Sequence, residues 1–395
     1  NLMSNLIILE YCSITNMYGV FGTKSIQYVL FFISVFKTNI FSKIINNKDL
    51  INSLSLKKPE NLSNLLEKTR QQIYNTYGIF DFIIDNNHQM LAKLMEFTNN
   101  LNENSIDIAN IIDDSFITHL NTENLSVVKD YVKFYNNKQL ISWIVSNTNI
   151  NIEQSDRILD ANCKINSFYE EIRNSALTKK QKKSLNSKLF GIQPNSIYKT
   201  FLLLENLIKY GETFTTNIGA FDPLVTDINI NGLGMYDLIF LDMPHGIHNV
   251  IHASCCQKIK KLKLRGTKAE PLLLQLVMSS LNKNGKGILI VPDSLLFSDS
   301  LQPVETREYL LNNFNVKKII QIDESLYWGN KISRDLKSQS STIKNSILIF
   351  ENNGKTKLVE FSKIALKDNE IIETKCTEIK YELFESNVYS LYYKN

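Results

Sequence analysis

The apolar positions of this chain change their period part-way along. Up to about residue 104 they recur every three or four places. Residues 61–75 carry Leu65, Leu66 and Ile73 among charges, and residues 88–101 carry Met90, Leu91, Leu94, Met95 and Phe97. That spacing puts the apolar side chains on one face of a helix. The most apolar run, YVLFFISVF at residues 28–36, is nine residues long, against the ~20 that a membrane-spanning helix needs; it predicts a buried helix. From about residue 106 short apolar runs of strand type appear, at 236–241 (YDLIFL), 287–291 (GILIV), 316–322, 346–350 (SILIF) and 358–361. Helical segments at 196–210, 270–281 and 304–314 lie between them. Strands alternating with helices predict an α/β domain with a largely parallel sheet. Asn352-Asn353-Gly354 reads as a hairpin turn, so the last strands are expected to be antiparallel. The polar stretch 99–105 is the expected boundary, giving an N-terminal helical domain (1–104), an α/β domain (105–362) and a C-terminal extension (363–395).

Composition narrows the class. The chain has 395 residues, 43% hydrophobic and 21% charged, which excludes a disordered or collagen-like chain. Its 44 basic and 40 acidic residues nearly cancel, so overall charge does not select a nucleic acid partner and local clusters must. One cluster is Lys179, Lys180, Lys182, Lys183 and Lys188; the other is Lys258, Lys260, Lys261, Lys263, Arg265 and Lys268. Phosphate contacts from such a cluster give salt-dependent, sequence-independent affinity, against the plainer reading of a solvated loop. Neither a CxxC nor an even cysteine count is present: Cys12, Cys163, Cys255, Cys256 and Cys376 are scattered. Reduced thiols and an intracellular compartment are expected. The chain opens at Asn1 without an initiator Met and shows no signal-peptide pattern. Its richness in Asn, Ile and Lys suggests an AT-rich coding sequence, with a viral or plasmid origin as one source. His245, His248 and His252 would share a helical face close to Cys255 and Cys256. That is the best zinc-type constellation in the chain, but a His-rich surface segment explains it as well and no metal is expected. Cys163 has no His near it in sequence to act as a base, and is read as structural.

Open α/β sheets bind ligands beyond the carboxyl ends of their strands. Five local sequences fall at such places: Phe134-Tyr135-Asn136-Asn137; Asp160-Ala161-Asn162-Cys163-Lys164-Ile165-Asn166-Ser167-Phe168; the stretch 189–195 with Gln193; Gly219-Ala220-Phe221-Asp222; and Asp242-Met243-Pro244-His245. Later come VPDSLLF at 291–297 and KNSILIF at 344–350. In order and spacing this set resembles the adenine-specific DNA methyltransferase (modification) subunit of type I restriction–modification systems, over roughly residues 105–362. The resemblance implies a class I S-adenosylmethionine-dependent methyltransferase (Rossmann-like) fold, mostly parallel with antiparallel end strands. It implies S-adenosylmethionine as cofactor and methyl transfer to N6 of an adenine flipped out of the duplex. It assigns cofactor binding to the positions of Phe134, Tyr135, Asp160, Asn162, Lys164, Gln193 and Ala220. The catalytic turn falls on Asp242, Met243, Pro244 and His245.

The motifs are degenerate. Of the family's "DPACGSGGF", Asp160 and Phe168 remain, and every glycine is gone. Lys164 and Ile165 are expected to put side chains where the cofactor would lie. A β-branched residue at positive φ there would add about 1–3 kcal/mol of strain. Gln193 stands for the ribose-holding acid, and Ala220 replaces the aspartate of a "GD" pair. Losing two charge-assisted hydrogen bonds and the glycine turn weakens cofactor binding on the order of a thousandfold. The catalytic turn keeps an acceptor in Asp242 and retains Pro244; Met243 and His245 replace a proline and an aromatic.

The expected protein is a degenerate N6-adenine DNA methyltransferase-like pseudoenzyme that keeps DNA or protein-partner binding and holds no cofactor. DNA would sit on the loop with Lys258, Lys260, Lys261, Lys263, Arg265 and Lys268. The protein partner would be a specificity-type subunit or a larger assembly, and no membrane is involved. One alternative is an active methyltransferase with an unusual cofactor pocket. The other is a structural or assembly protein that reuses the fold.

Overall fold

The structure, a computed structural model, describes residues 2–45, 61–122, 136–175, 178–211, 217–225, 235–244, 255–264, 266–328 and 344–394. Two compact units divide the chain: Asn1–Tyr131 with Asn195–Thr216, and Val132–Pro194 with Asn217–Asn395. This differs from the boundary expected at residue 104. The helix Ile108–Thr122 packs against the helices Leu2–Met17 and Thr23–Phe36, and so belongs with the helical unit. The helix Ser196–Tyr210 joins the same unit: Phe116 meets Tyr198 and Phe201 edge-on at 5.4 and 5.3 Å.

Within the helical unit, Thr23–Phe36 contains the apolar run and is buried on nearly every side, as expected of a helix without a polar face. Tyr28, Phe31 and Phe32 lie at its centre, and Phe31 meets Phe80 edge-on at 5.4 Å. The helix Leu62–Tyr77 ends at Gly78, whose φ of 65° is the left-handed stop that glycine supplies most readily. The helix His88–Asn100 starts at Asn87, which accepts from the Met90 N–H. Among the described residues no helix is long and apolar enough to cross a membrane.

The second unit holds a nine-stranded sheet. Its strands are β1 (Ile158–Asp160), β2 (Leu189–Ile192), β3 (Ile218–Gly219), β4 (Tyr236–Asp242), β5 (Leu281–Pro292), β6 (Asn315–Ile322), β7 (Asn345–Glu351), β8 (Leu358–Lys367) and β9 (Glu370–Lys380). The order across the sheet is β3-β2-β1-β4-β5-β7-β6-β8-β9. β1 to β5 are parallel; β7 inserts antiparallel between β5 and β6. Each apolar run read as a strand is one.

The hairpin expected at Asn352-Asn353-Gly354 is not formed. Both edges of β7 are taken, so β8 joins the sheet beyond β6 and runs parallel to it. Asn352 instead ties this turn to the start of β5, donating from Nδ2 to the carbonyls of Leu281 (3.0 Å) and Asn282 (3.2 Å). The terminal hairpin is β8–β9, turning at Asp368 and Asn369, whose φ values of 50° and 64° suit a tight antiparallel turn. The stretch expected as an extension from residue 363 therefore begins as sheet.

Candidate functional site

The strand order reverses between β1 and β4, and the crevice at such a switch is where open α/β sheets hold ligands. Asp160 ends β1 and Asp242 ends β4. Asp160 is fully buried and accepts from the backbone N–H of Asn162 (3.2 Å) and of Tyr169 (2.9 Å), the latter in the first turn of the helix Phe168–Ser175. Burial outweighs these bonds and pushes its carboxyl up to about 6, with the nearby Asp242 charge adding to the rise.

The turn between β1 and that helix crosses to the end of β4. Lys164 donates from Nζ to Asp242 Oδ2 at 2.6 Å, and each side chain is 2% exposed. Asn162 donates from Nδ2 to the Asp242 carbonyl at 2.8 Å. On its other oxygen Asp242 faces the Tyr327 hydroxyl at 3.4 Å. Burial, then the Asp242 charge, holds that phenol well above its ordinary range, so it stays a neutral donor. Met243 turns its side chain into the core and donates its N–H to the Ile290 carbonyl; Pro244 is half-buried.

Two further positions expected to bind cofactor turn inward or bare. Gln193 is buried and donates from Nε2 to the Cys163 carbonyl at 2.8 Å. Ala220 is exposed and brings no polar side chain. Cys163 is buried with Sγ 3.4 Å from Ser167 Oγ, and burial pushes its thiol well up; it is not poised as a nucleophile. Ile165 is 1% exposed, and the strain expected there is absent: the left-handed residue of the turn is Asn166, at φ 55°. Asn tolerates that conformation, so the turn holds no β-branched outlier. Phe168 stacks on Phe240 at 4.6 Å and anchors the helix to β4.

Phe134, Tyr135, His245 and Arg265 lie outside the described residues, as do His248 and His252. Among the described residues no group of three His, Cys, Asp or Glu side chains is placed to hold a metal. In the basic stretch Lys258 departs from expectation. It is buried and points Nζ at Met235 Sδ, 3.4 Å away, because the helix Gln257–Lys261 packs that face inward. Lys261, Lys263 and Lys268 are exposed and Lys260 partly so. Sequence reading missed Tyr327 and Ser167. Tyr327 sits one turn past the carboxyl end of β6, so the strand-end rule applied to that strand points to it.

The raised Asp160 carboxyl has a pH consequence. Its folded-state value of about 6 exceeds the ordinary 3.8, so the folded form holds the proton more tightly. The stabilisation is full below about pH 4 and is lost as pH rises through about 6. Asp160→Asn removes this dependence. The stability gap between wild type and variant should shift by about 2–3 kcal/mol between pH 4 and 7, read by urea unfolding at each pH; a gap independent of pH would refute it.

Solved structures share the fold at low identity. A chain from a study of complex assembly and conformational transition in a type I R-M system aligns with a TM-score of 0.60 at 15% identity, covering 98% of this chain and 89% of that one. The methyltransferase subunit of a type I restriction-modification system from Streptococcus thermophilus aligns at 0.55 and 12% identity, covering 98% of each. A type I modification subunit from Vibrio vulnificus YJ016 aligns at 0.49 and 18% identity over 71% of this chain, which spans only 57% of that subunit. Comparison with curated protein sequences gives no match. The helical unit and the mixed sheet together form the class I methyltransferase fold with an N-terminal helical region. The family model for N-6 DNA methylase matches residues 126–387, two-thirds of the sequence, and the chain belongs to that family.

Proposed function

We propose that this chain is a catalytically silent N6-adenine DNA methyltransferase relative that serves as a DNA- or partner-binding subunit. The observation that carries the reading is the buried ion pair between Lys164 and Asp242. Asp242 stands where the family places the acceptor for the target amine, and the Lys164 ammonium already occupies it. The residues at the switch crevice do not fit a sulfonium donor. A fixed ammonium repels it, Gln193 is committed to the Cys163 carbonyl, and Ala220 offers no acceptor. The exposed Lys261, Lys263 and Lys268, with Lys260, give a basic surface suited to phosphates. The similar Streptococcus thermophilus chain is a subunit of a type I system, which favours a role inside an assembly with a specificity-type partner.

Isothermal titration with S-adenosylmethionine tests the reading, alongside transfer of labelled methyl groups to adenine-containing duplex DNA. No heat at micromolar donor and no label in DNA are expected. Micromolar donor binding, or label in N6-methyladenine, would falsify the proposal. Salt-dependent retention on DNA, reduced by Lys261→Ala with Lys263→Ala, is expected of the binding role.

A further inference from the structure

Farther along the same carboxyl edge, away from the β1–β4 crevice, lies an open cleft of about 820 Å³. Part of its lining is a polar pair on two neighbouring strands. Gln321 on β6 pairs with Lys363 on β8, and directly paired residues share a face of the sheet. The C-terminal segment closes one side. Gln321 donates from Nε2 to the Tyr393 carbonyl at 2.8 Å, and the Leu391 N–H bonds to the Leu296 carbonyl at 2.8 Å.

The cleft combines three kinds of group. Lys344, Lys363 and Lys394 line it, and none of them makes an ion pair among the described residues. Three carboxylates line it as well, Asp293, Asp323 and Glu324, and the first two already accept hydrogen bonds. Asp293 accepts from Ser346 Oγ at 2.6 Å, and Asp323 accepts from the Ser325 N–H and hydroxyl. Tyr392 and Tyr393 are half-buried, each held by one ring: Tyr392 against Phe297 at 5.3 Å, Tyr393 against Phe361 at 6.0 Å.

We propose that this cleft binds a nucleoside 5′-phosphate, independently of whether the switch crevice can transfer a methyl group. Lys363 and Lys394, with Lys344 beside the Asp293 charge, suit a phosphate, the tyrosine rings suit a flat base, and the volume suits a ligand of nucleotide size. A bare anion would leave the rings unused, and an uncharged nucleoside would leave the ammoniums unused.

Calorimetry on the full chain with adenosine 5′-monophosphate and cytidine 5′-monophosphate tests this, beside adenosine, inorganic phosphate and a single-stranded oligonucleotide. At least one mononucleotide should bind about tenfold more tightly than adenosine or phosphate. Lys344→Ala and Lys394→Ala, both at exposed positions, should each weaken it about tenfold, the size of one charge-assisted hydrogen bond. Lys283→Ala, at an exposed position early in β5, should leave it unchanged. Four results would overturn the proposal: phosphate binding as well as the mononucleotides, adenosine doing so, only the oligonucleotide binding, or affinity indifferent to both lysines. Because no methyl donor enters this experiment, its failure leaves the silent-methyltransferase reading standing, and the reverse also holds.

Discussion

Lys164→Ala is expected to destabilise the sheet unit by about 3–5 kcal/mol, the cost of leaving one member of a buried ion pair alone. Both side chains are 2% exposed, so no water reaches the Asp242 carboxylate to replace the ammonium. The Tyr327 hydroxyl at 3.4 Å is a long contact and does not neutralise a charge. The cost should fall mostly on Asp242 rather than on lost attraction, and a second variant separates the two. Lys164→Met with Asp242→Asn removes both charges, keeps the length of the first side chain and leaves an acceptor for Tyr327. The double variant should recover more than half of the loss, since well-packed neutral replacements of buried pairs are often no less stable. The coupling follows from a double-mutant cycle in urea. A single variant within about 0.5 kcal/mol of wild type, inside the usual range for surface changes, would show that the pair is solvated and does not close the crevice.

The same variants address chemistry. Lys164→Gly returns a glycine to the turn and frees Asp242, but Gln193 still bonds the Cys163 carbonyl and Ala220 still lacks an acceptor. Donor affinity should not return from that change alone. Adding Gln193→Glu and Ala220→Asp restores the two hydrogen-bonding acids, each about tenfold or more in affinity.

Much of the fold was legible because its signals are local. YDLIFL, GILIV and SILIF are short apolar runs without charge in their centres, and each became a buried strand. The turn at 352–354 misled because the Asn-Gly pattern reports a reversal of the chain, not which strand is the neighbour. That choice depends on β7 already being flanked by β5 and β6, a long-range fact. β9 escaped notice because its strand alternates weakly and one edge is open, so few of its side chains need be apolar. In the site, the absence of glycine from residues 160–168 was visible at once. The destination of the Lys164 ammonium was not, because Asp242 is 78 residues away and only the pairing of β1 with β4 brings the two ends together. The expected strain at Ile165 failed for a related reason: spacing does not tell which residue of a turn goes left-handed, and Asn166 took that place.

Arg307→Ala should release the C-terminal segment from the sheet unit and lower its stability by about 3–5 kcal/mol. Arg307 is fully buried in the helix Leu301–Asn313. Its guanidinium donates to four backbone carbonyls: Leu295 (2.9 Å), Ser298 (2.9 Å), Val388 (3.1 Å) and Tyr389 (2.8 Å). Burial lowers its pKa to about 10, so it remains charged at neutral pH. Val388 and Tyr389 both have positive φ, 50° and 54°, a conformation that costs energy outside glycine. The fork of Arg307 offsets that cost, since no other side chain presents donors in the required directions. Arg307→Lys keeps the charge but supplies one compact ammonium, and should recover less than half of the loss. Limited proteolysis reports the local effect: cleavage within residues 386–394 should be slow in wild type and fast in Arg307→Ala at temperatures where the rest of the unit stays folded. Protection of that segment in the variant would mean that the Gln321 and Leu391 bonds hold it unaided, and that the buried charge is not what fixes the tail over the cleft.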